Sequence, residues 1–224
     1  MASETGADTS KAAEVTLTNV PVKCRFATYW FNSKYGNVGI TALPGRSKSG
    51  SHTKTLVKQD FELLFQQTVS DIFLFCTPAE VSASLPNVDF TAVAKSFSMT
   101  VHHHPIQVGL HPTVQDAYII HNDIEKCLKE NKTLILVSRN GFGRAATIMA
   151  TYLMKQKPNL TPDAAMEEVR DYRGHPAIQT VKQYNFLHEY YAYLNEMRQD
   201  NGANAVKDSS GLTKITGKRT LNTP

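Results

Sequence analysis

The sequence predicts an α/β fold, in which a central, mostly parallel sheet is flanked by helices. Short apolar runs rich in β-branched residues, which are typical of buried strands, alternate with longer segments of helical periodicity. The clearest apolar run, Thr133 to Val137, is followed by a polar loop with two glycines and then by a helix-compatible segment. A length of 224 residues with 41% hydrophobic residues is enough for one such domain.

The predicted strands and helices alternate along most of the chain. The strands are predicted at Cys24–Phe31, Val38–Leu43, Asp71–Cys76, Met99–His104 and Thr133–Val137. The helices are predicted at Thr55–Gln67, Asp89–Ser96, Thr113–Glu130, 144–154, 161–173 and Ile178–Met197. Thr161-Pro162-Asp163 is typical of a helix start, with a hydroxyl cap, a proline in the first turn and an acid beside the positive end of the dipole.

The folded domain is predicted to cover residues 16–197, between two disordered ends. Residues 1–15 and 198–224 lack apolar periodicity, and the C-terminal segment is mildly basic. No run has the character of a transmembrane helix or a secretory signal, so a membrane partner is not expected. The net charge of +4 is modest, and a nucleic-acid partner is not expected either.

The cysteines predict a reducing compartment. The chain has three, Cys24, Cys76 and Cys127, without the spacing of a disulfide framework. They are interpreted as core or incidental thiols. The predicted location is therefore the cytoplasm, the nucleus or both.

The loop after the clearest strand has the chemistry of an anion site. Its glycines allow successive backbone N–H groups to turn inward, and the helix that follows adds the positive end of its dipole. Arg144 adds a planar guanidinium suited to two phosphate oxygens. The predicted phosphate-binding residues are Ser138, Arg139, Asn140, Gly141, Phe142, Gly143 and Arg144. The pattern alone leaves open a tight strand-to-helix turn with an exposed arginine.

The seven residues from Ser138 to Arg144 resemble in spacing the phosphate loop of cysteine-dependent phosphatases, in which Ser138 would be the cysteine. A serine hydroxyl is a poor nucleophile unless a neighbouring base takes its proton, and Val137 offers none. The candidate acid loop, 105–112, contains no carboxylate; His111 is the remaining proton donor in it, and Asp116 lies beyond it in a predicted helix.

Further blocks of the sequence resemble the cyclin-dependent kinase-associated phosphatase family, also called cyclin-dependent kinase inhibitor 3. They are Gly39 to Gly45, Asp71 to Thr77, His102 to Ile106, the loop itself, Arg170 to Gly174, and Ala177 to Glu189. The resemblance implies a dual-specificity or protein tyrosine phosphatase-like fold. It also implies a kinase partner, because that family acts on the phosphorylated activation loop of cyclin-dependent kinases.

The departures from that family fall in the catalytic positions. The family has cysteine at Ser138, histidine at Val137, aspartate at Val108 and a hydroxyl residue at Ala145. What the resemblance carries over is phosphate binding by Arg144 and the loop backbone. Gln179 and Gln183 match the family's glutamine-bearing loop near the active site; alternatively they are polar residues that cap a helix.

These departures favour a catalytically inactive pseudophosphatase, and hence a protein that is not an enzyme. It is predicted to bind a cyclin-dependent kinase or another phosphoprotein and to regulate it without dephosphorylation. Two alternatives stay open: a weakly active protein phosphatase that uses Ser138 or a bound water, and a scaffold that binds no phosphate.

No cofactor or metal is expected. His102, His103 and His104 are consecutive, but neighbours in a strand point to opposite faces, so that only the first and third converge. Zinc prefers about four ligands, and no cysteine–histidine pair has a suitable spacing.

Overall fold

The computed structural model describes residues 29–33, 36–45 and 54–211 and confirms an α/β fold with a mostly parallel sheet. The strands are β1 (Tyr29–Ser33), β2 (Gly36–Ala42), β3 (Val69–Leu74), β4 (Thr100–His103) and β5 (Thr133–Ser138). Their order in the sheet is β1-β2-β5-β3-β4. The pair β1 and β2 is antiparallel, and all other neighbours are parallel.

Helices cover both faces of the sheet. They are α1 (Lys54–Gln66), α2 (Pro78–Ser84), α3 (Phe90–Ser96), α4 (Val114–Lys129), α5 (Arg144–Gln156), α6 (Pro162–Arg173) and α7 (Val181–Gly211). Central strand β5 is apolar on both sides because it is covered on both. Leu134 and Leu136 pack in one core cluster with α4, α5 and α7, while Ile135 and Val137 pack in a second cluster with α1 and α3.

The predicted elements agree with the structure to within a few residues, apart from the first strand, the end of α7, and α2, which was not predicted. This seven-residue helix has no buried residue and therefore no apolar periodicity to detect. Its signal is a capping box: the Thr77 side chain accepts from the Glu80 amide, and the Glu80 carboxylate accepts from the Thr77 amide. The sequence Thr-Pro-x-Glu contained that signal.

The structure describes part of the C-terminal segment but none of the N-terminal one. Residues 1–15, predicted to be disordered, lie outside the described residues, as does most of the predicted strand at Cys24–Phe31. At the other end, α7 continues to Gly211 and so includes part of the segment 198–224 that was predicted to be disordered. None of the helices in the described ranges is both long and apolar enough to cross a bilayer.

The parallel strands bring several loops to one edge of the sheet. Ala42 at the end of β2 lies opposite Ser138 at the end of β5, and Val137 lies opposite Leu74 at the end of β3. The segments that follow these strands therefore meet at the carboxyl edge, where α/β folds usually bind ligands.

A buried histidine links stability to pH. His121 is fully buried, with Nδ1 2.7 Å from the Tyr190 hydroxyl and Nε2 3.2 Å from the Thr151 hydroxyl. Burial, and next the charge of Lys155, lower the pKa of its imidazole from 6.5 to about 3. The unfolded chain therefore binds more protons than the folded one below pH 6.5, and stability falls as the pH falls through that range.

We expect this residue to remove about 2 kcal/mol from the free energy of unfolding between pH 8 and pH 5. Urea denaturation at the two pH values measures it. His121→Gln keeps a hydrogen-bonding side chain but does not titrate, so its loss over the same range should be smaller by that amount. An identical pH dependence in the wild type and the variant would contradict the assignment.

Candidate phosphate-binding site

The loop predicted to bind phosphate lies at the carboxyl edge of the sheet, between β5 and α5. Ser138 is the last residue of β5 and is 2% exposed, and Gly143 is the N-cap of α5. Gly141 has a φ of 70°, in the left-handed region that favours glycine. The chain thus passes from strand to helix through five residues, Arg139 to Gly143.

The carbonyl groups of this loop are all engaged on its outer side. Three carbonyls accept from backbone amides: that of Arg139 from Leu43 (3.4 Å), that of Phe142 from Ile178 (2.7 Å) and that of Gly143 from Thr147 (2.9 Å). The other two accept from Arg173: the Asn140 carbonyl from Nη2 (2.7 Å) and the Gly141 carbonyl from Nε (3.2 Å). These bonds fix the orientation of successive peptide groups, and each peptide N–H points roughly opposite to its carbonyl.

Most backbone N–H groups of the same loop have no hydrogen-bond acceptor among the described residues. Within the described part of the chain, no acceptor is bound by the N–H groups of Arg139, Gly141, Phe142 or Gly143. Buried or half-buried amides normally have a partner. A concave set of amides at a helix N-terminus is the backbone arrangement that binds phosphate oxygens.

Arg144, at the start of α5, is 5% exposed and held from one side. Its Nη1 and Nη2 donate to the two carboxylate oxygens of Glu80 at 2.6 and 2.7 Å. Nη1 also donates to the carbonyls of Phe75 (3.1 Å) and Ile106 (2.7 Å). Nε and one Nη2 hydrogen make no bond to any described residue, so one edge of the guanidinium stays available to an anion.

Glu80 is therefore a residue of the site that the sequence prediction missed. Burial favours its neutral form, but the hydrogen bond from Arg144, the bond from the Thr77 amide and the Arg144 charge outweigh burial and lower the pKa of the carboxyl. Glu80 is a carboxylate at neutral pH and fixes the guanidinium plane. The signal was the capping box of α2, although nothing local in the sequence links Glu80 to Arg144, 64 positions away.

Arg173 is the second missed residue. Besides its bonds to the carbonyls of Asn140 and Gly141, its guanidinium lies over the Phe142 ring, 3.7 Å from the centroid. Arg173 ends α6 and is 8% exposed. Its sequence block, Arg170 to Gly174, is part of the family resemblance, which implies no role for it. The structure shows it supporting the loop from outside.

Gln179 and Gln183 lie against Gly143, at the start of α5. A Cβ at Gly143 would be 3.0 Å from Gln183 Nε2 and 3.2 Å from Gln179 Oε1. Gln183 accepts from the Gln179 amide at 3.0 Å and donates to the Leu110 carbonyl at 3.2 Å. It thereby connects the glutamine segment to the 105–112 loop.

Ser138, Val137 and Val108, the positions at which the family has catalytic side chains, differ in their surroundings. Ser138 Oγ makes no hydrogen bond to the described residues, and Val137 is buried among apolar side chains. Val108 is 65% exposed at the rim. His111 stacks on Phe186, 4.4 Å between centroids. Asp116 accepts from Thr113 at the start of α4. Neither of these last two residues bonds to the loop, and among the described residues no acid or base forms a hydrogen bond with Ser138 Oγ.

The described cysteines do not supply a nucleophile. Cys76 is fully buried after β3, and burial raises the pKa of its thiol to about 12. Cys127 is also buried, and burial, followed by the charge of Asp71, raises its pKa to about 11. Both are protonated thiols at neutral pH. Cys24 lies outside the described residues.

Two glycines with similar backbone angles test how tightly the loop is packed. Gly141 and Gly109 have φ values of 70° and 76°. A Cβ at Gly141 would be 2.8 Å from backbone atoms of Thr41, whereas at Gly109 the nearest atom is 3.8 Å away. We expect Gly109→Ala to cost about 1 kcal/mol of folding free energy and Gly141→Ala about 3 kcal/mol. Urea denaturation of both variants measures this; equal losses would contradict the close packing of the loop.

Comparison with known proteins supports the family resemblance. The family model described as cyclin-dependent kinase inhibitor 3 (CDKN3) matches residues 3–166. Cyclin-dependent kinase inhibitor 3 of Homo sapiens is 34% identical over 154 residues, 68% of this chain and 71% of that protein. The Rattus norvegicus protein is 33% identical over the same shares.

Solved structures give the same result for the fold. Kinase associated phosphatase (KAP), with its catalytic site cysteine substituted by serine, is 31% identical with a TM-score of 0.69, covering 78% of this chain and 98% of that one. PTPMT1 is 17% identical with a TM-score of 0.60, covering 77% and 99%, and shows the fold alone. The predicted dual-specificity or protein tyrosine phosphatase-like fold is thereby confirmed.

The prediction that this chain is not an enzyme is wrong in the light of these comparisons. The solved structures that it resembles include a kinase associated phosphatase that is 31% identical to this chain, and phosphatases are enzymes. The prediction depended on the absence of the family's aspartate, histidine and cysteine at Val108, Val137 and Ser138. The kinase associated phosphatase was itself solved with serine at its catalytic cysteine, so serine is compatible with this fold.

Proposed function

The chain belongs to the cyclin-dependent kinase inhibitor 3 family, and we propose that it binds the phosphorylated side chain of a cyclin-dependent kinase in the cradle formed by residues 138–144. The observation that carries the proposal is the inward-facing set of loop amides, whose carbonyls are all engaged elsewhere, beside the free edge of Arg144. This arrangement matches the geometry and charge of a phosphate monoester.

The electrostatics of the cradle suit a dianion. Arg144 is buried, so its attraction for an anion is screened less than at an exposed position. Glu80 neutralises part of that charge but holds the guanidinium in one plane, and binding therefore costs little ordering of the side chain. The amides and the helix dipole add partial positive charge that no carboxylate offsets within the loop.

The rim of the cradle favours a peptide over a small metabolite as the source of the phosphate. Val108 and Val181 are 65% and 74% exposed. The Thr180 hydroxyl, next to Val181, donates to the Gly109 carbonyl at 2.9 Å, which brings these two exposed valines to the same side of the site. Apolar side chains at this rim provide contacts for residues that flank a phosphorylated one.

Calorimetry with a phosphothreonine peptide and its unphosphorylated twin tests the proposal. We expect the phosphorylated peptide to bind at least about 10-fold more tightly, which corresponds to about 1.4 kcal/mol. Arg144→Lys keeps a charge but loses the planar fork, and it should remove most of that preference. Arg198→Lys is the matched control, because Arg198 donates to the carbonyls of Met154 and Pro158, outside the cradle.

Equal binding of the two peptides by wild type would contradict phosphate recognition and favour the scaffold alternative. Phosphate preference retained by Arg144→Lys and lost by Arg198→Lys would place the site elsewhere. Circular dichroism of each variant shows whether the fold is kept. The kinase partner and the location in cytoplasm or nucleus stay predictions, which the names of the relatives support only for the kinase.

A second candidate function is hydrolysis of the bound phosphoester. Membership of a phosphatase family favours it. Ser138 or a water in the cradle would attack phosphorus, and Arg144 with the amides would stabilise the charge that develops. Since no carboxylate of the 105–112 loop can protonate the leaving oxygen, we propose turnover slower than in an enzyme with that acid.

Release of phosphate from an aryl phosphate, measured with purified protein, tests this second function. We expect slow turnover by wild type and a modest gain from Ser138→Cys. Adding Val108→Asp should raise the rate by about 10²-fold or more, because it restores an acid at the rim. Adding Ile119→Asp instead is the control, because Ile119 is also an exposed apolar residue (53%) but lies on α4, outside the 105–112 loop and the cradle. Equal rates for the two double variants would contradict the role assigned to the 105–112 loop.

A further inference from the structure

We propose that Asp71, His102 and Cys127 form a binding site for a zinc ion, on a part of the sheet separate from the phosphate cradle. Their ligand atoms lie within 4.8 Å of one another. Asp71 Oδ1 is 2.8 Å from His102 Nε2 and 3.6 Å from Cys127 Sγ, and the last two atoms are 3.9 Å apart. The residues come from β3, β4 and α4.

These separations are close to those of a tetrahedral zinc site. With ordinary zinc–ligand bond lengths, oxygen, nitrogen and sulfur ligands lie about 3.4–3.6 Å from one another. The two distances to sulfur already agree within a few tenths of an ångström. Only Asp71 and His102 must move apart, by about 0.6 Å, as a hydrogen bond between them is replaced by two bonds to the metal.

The ligand types favour zinc over magnesium or calcium. A sulfur and an imidazole nitrogen suit zinc, whereas the alkaline-earth ions prefer oxygen ligands. Binding replaces the S–H bond of Cys127 with a Zn–S bond, and that proton leaves to solvent. When Nε2 of His102 binds the metal, its proton is released to solvent and Nδ1 takes up a proton in its place, so that the imidazole stays neutral. A water completes the four ligands from the exposed side of this ring, which is 26% exposed.

The surroundings already hold the ligands in place. Asp71 is 1% exposed, and its second oxygen accepts from the Ser70 hydroxyl at 2.8 Å. The His102 ring stacks on Phe73, 4.5 Å between centroids. Lys132 lies 3.8 Å from that second oxygen and opposes a cation, but it is paired with Glu130 at 2.9 Å. Ordered ligands of this kind lower the cost of binding a metal.

The site would also connect a metal to the phosphate cradle through one short segment. His102 lies on β4, and the segment after β4 carries the Ile106 carbonyl that accepts from Arg144. Next to His102, His103 Nε2 is 2.7 Å from the Cys76 carbonyl. Zinc would therefore tie the edge strand to α4 and stabilise the segment that holds Arg144.

Titration with cobalt(II), followed by displacement with zinc(II), tests the site in the full chain without an affinity tag. We expect one cobalt per chain with a sulfur-to-cobalt charge-transfer band and the visible bands of tetrahedral cobalt. Cys127→Ser should abolish the charge-transfer band. His102→Gln should weaken binding by more than about 100-fold, since even residues that only support a ligand have effects of that order.

Matched controls separate this site from other histidines and thiols. His103→Gln and Cys76→Ser change neighbouring residues outside the cluster, and Cys24→Ser changes the cysteine beyond the described residues. All three should keep the band. A wild type without the band at saturating cobalt, or a band that survives Cys127→Ser, would overturn the proposal. If Cys127→Ser does not fold, Asp71→Asn and His102→Gln assayed by zinc equilibrium dialysis decide the same question.

Discussion

The buried guanidinium of Arg144 is the group around which the site is arranged. It joins four segments: Glu80 on α2, the Phe75 carbonyl after β3, the Ile106 carbonyl after β4 and the first turn of α5. A buried cation without partners would be costly, so these acceptors stabilise the fold as well as the side chain. Because all of these acceptors bind Nη1 or the outer hydrogen of Nη2, the edge of the guanidinium that carries Nε is directed away from them. That one-sided arrangement turns a structural ion pair into half of an anion site.

The other half comes from the backbone. Arg173 and three amides, those of Leu43, Thr147 and Ile178, donate to the loop carbonyls, and the glycine at 141 allows the left-handed turn that this orientation requires. The sheet determines where the two halves meet, because parallel strands β2, β5 and β3 end at one edge. The phosphate recognition that we propose would thus depend on main-chain geometry and one arginine, and it would not require a cysteine at position 138. The same reasoning explains why a change of nucleophile leaves the family fold intact.

Much of this was predictable from local sequence. The apolar run of β5, the glycine loop and Arg144 are contiguous, so strand, cradle and helix could all be inferred without tertiary information. Glu80 and Arg173 could not, since their contacts with the loop join positions 64 and 33 residues apart. Helix α2 has no buried residue and hence no periodic pattern. The inference that the chain is not an enzyme failed for a different reason. Missing catalytic side chains bear on rate, whereas membership of the cyclin-dependent kinase inhibitor 3 family follows from a match over residues 3–166. Asp71, His102 and Cys127 converge only through the sheet and α4.

Titration of the ¹⁵N-labelled full chain with inorganic phosphate tests the central claim most directly, because it observes each amide separately. We expect saturable shifts that are largest for the backbone N–H groups of Arg139, Gly141, Phe142 and Gly143 and for Nε of Arg144. Amides that already have an acceptor outside the cradle, such as that of Leu160, which donates to the Lys157 carbonyl, should move far less. Loop amides that do not respond at saturating phosphate, or shifts confined to exposed lysines, would contradict it.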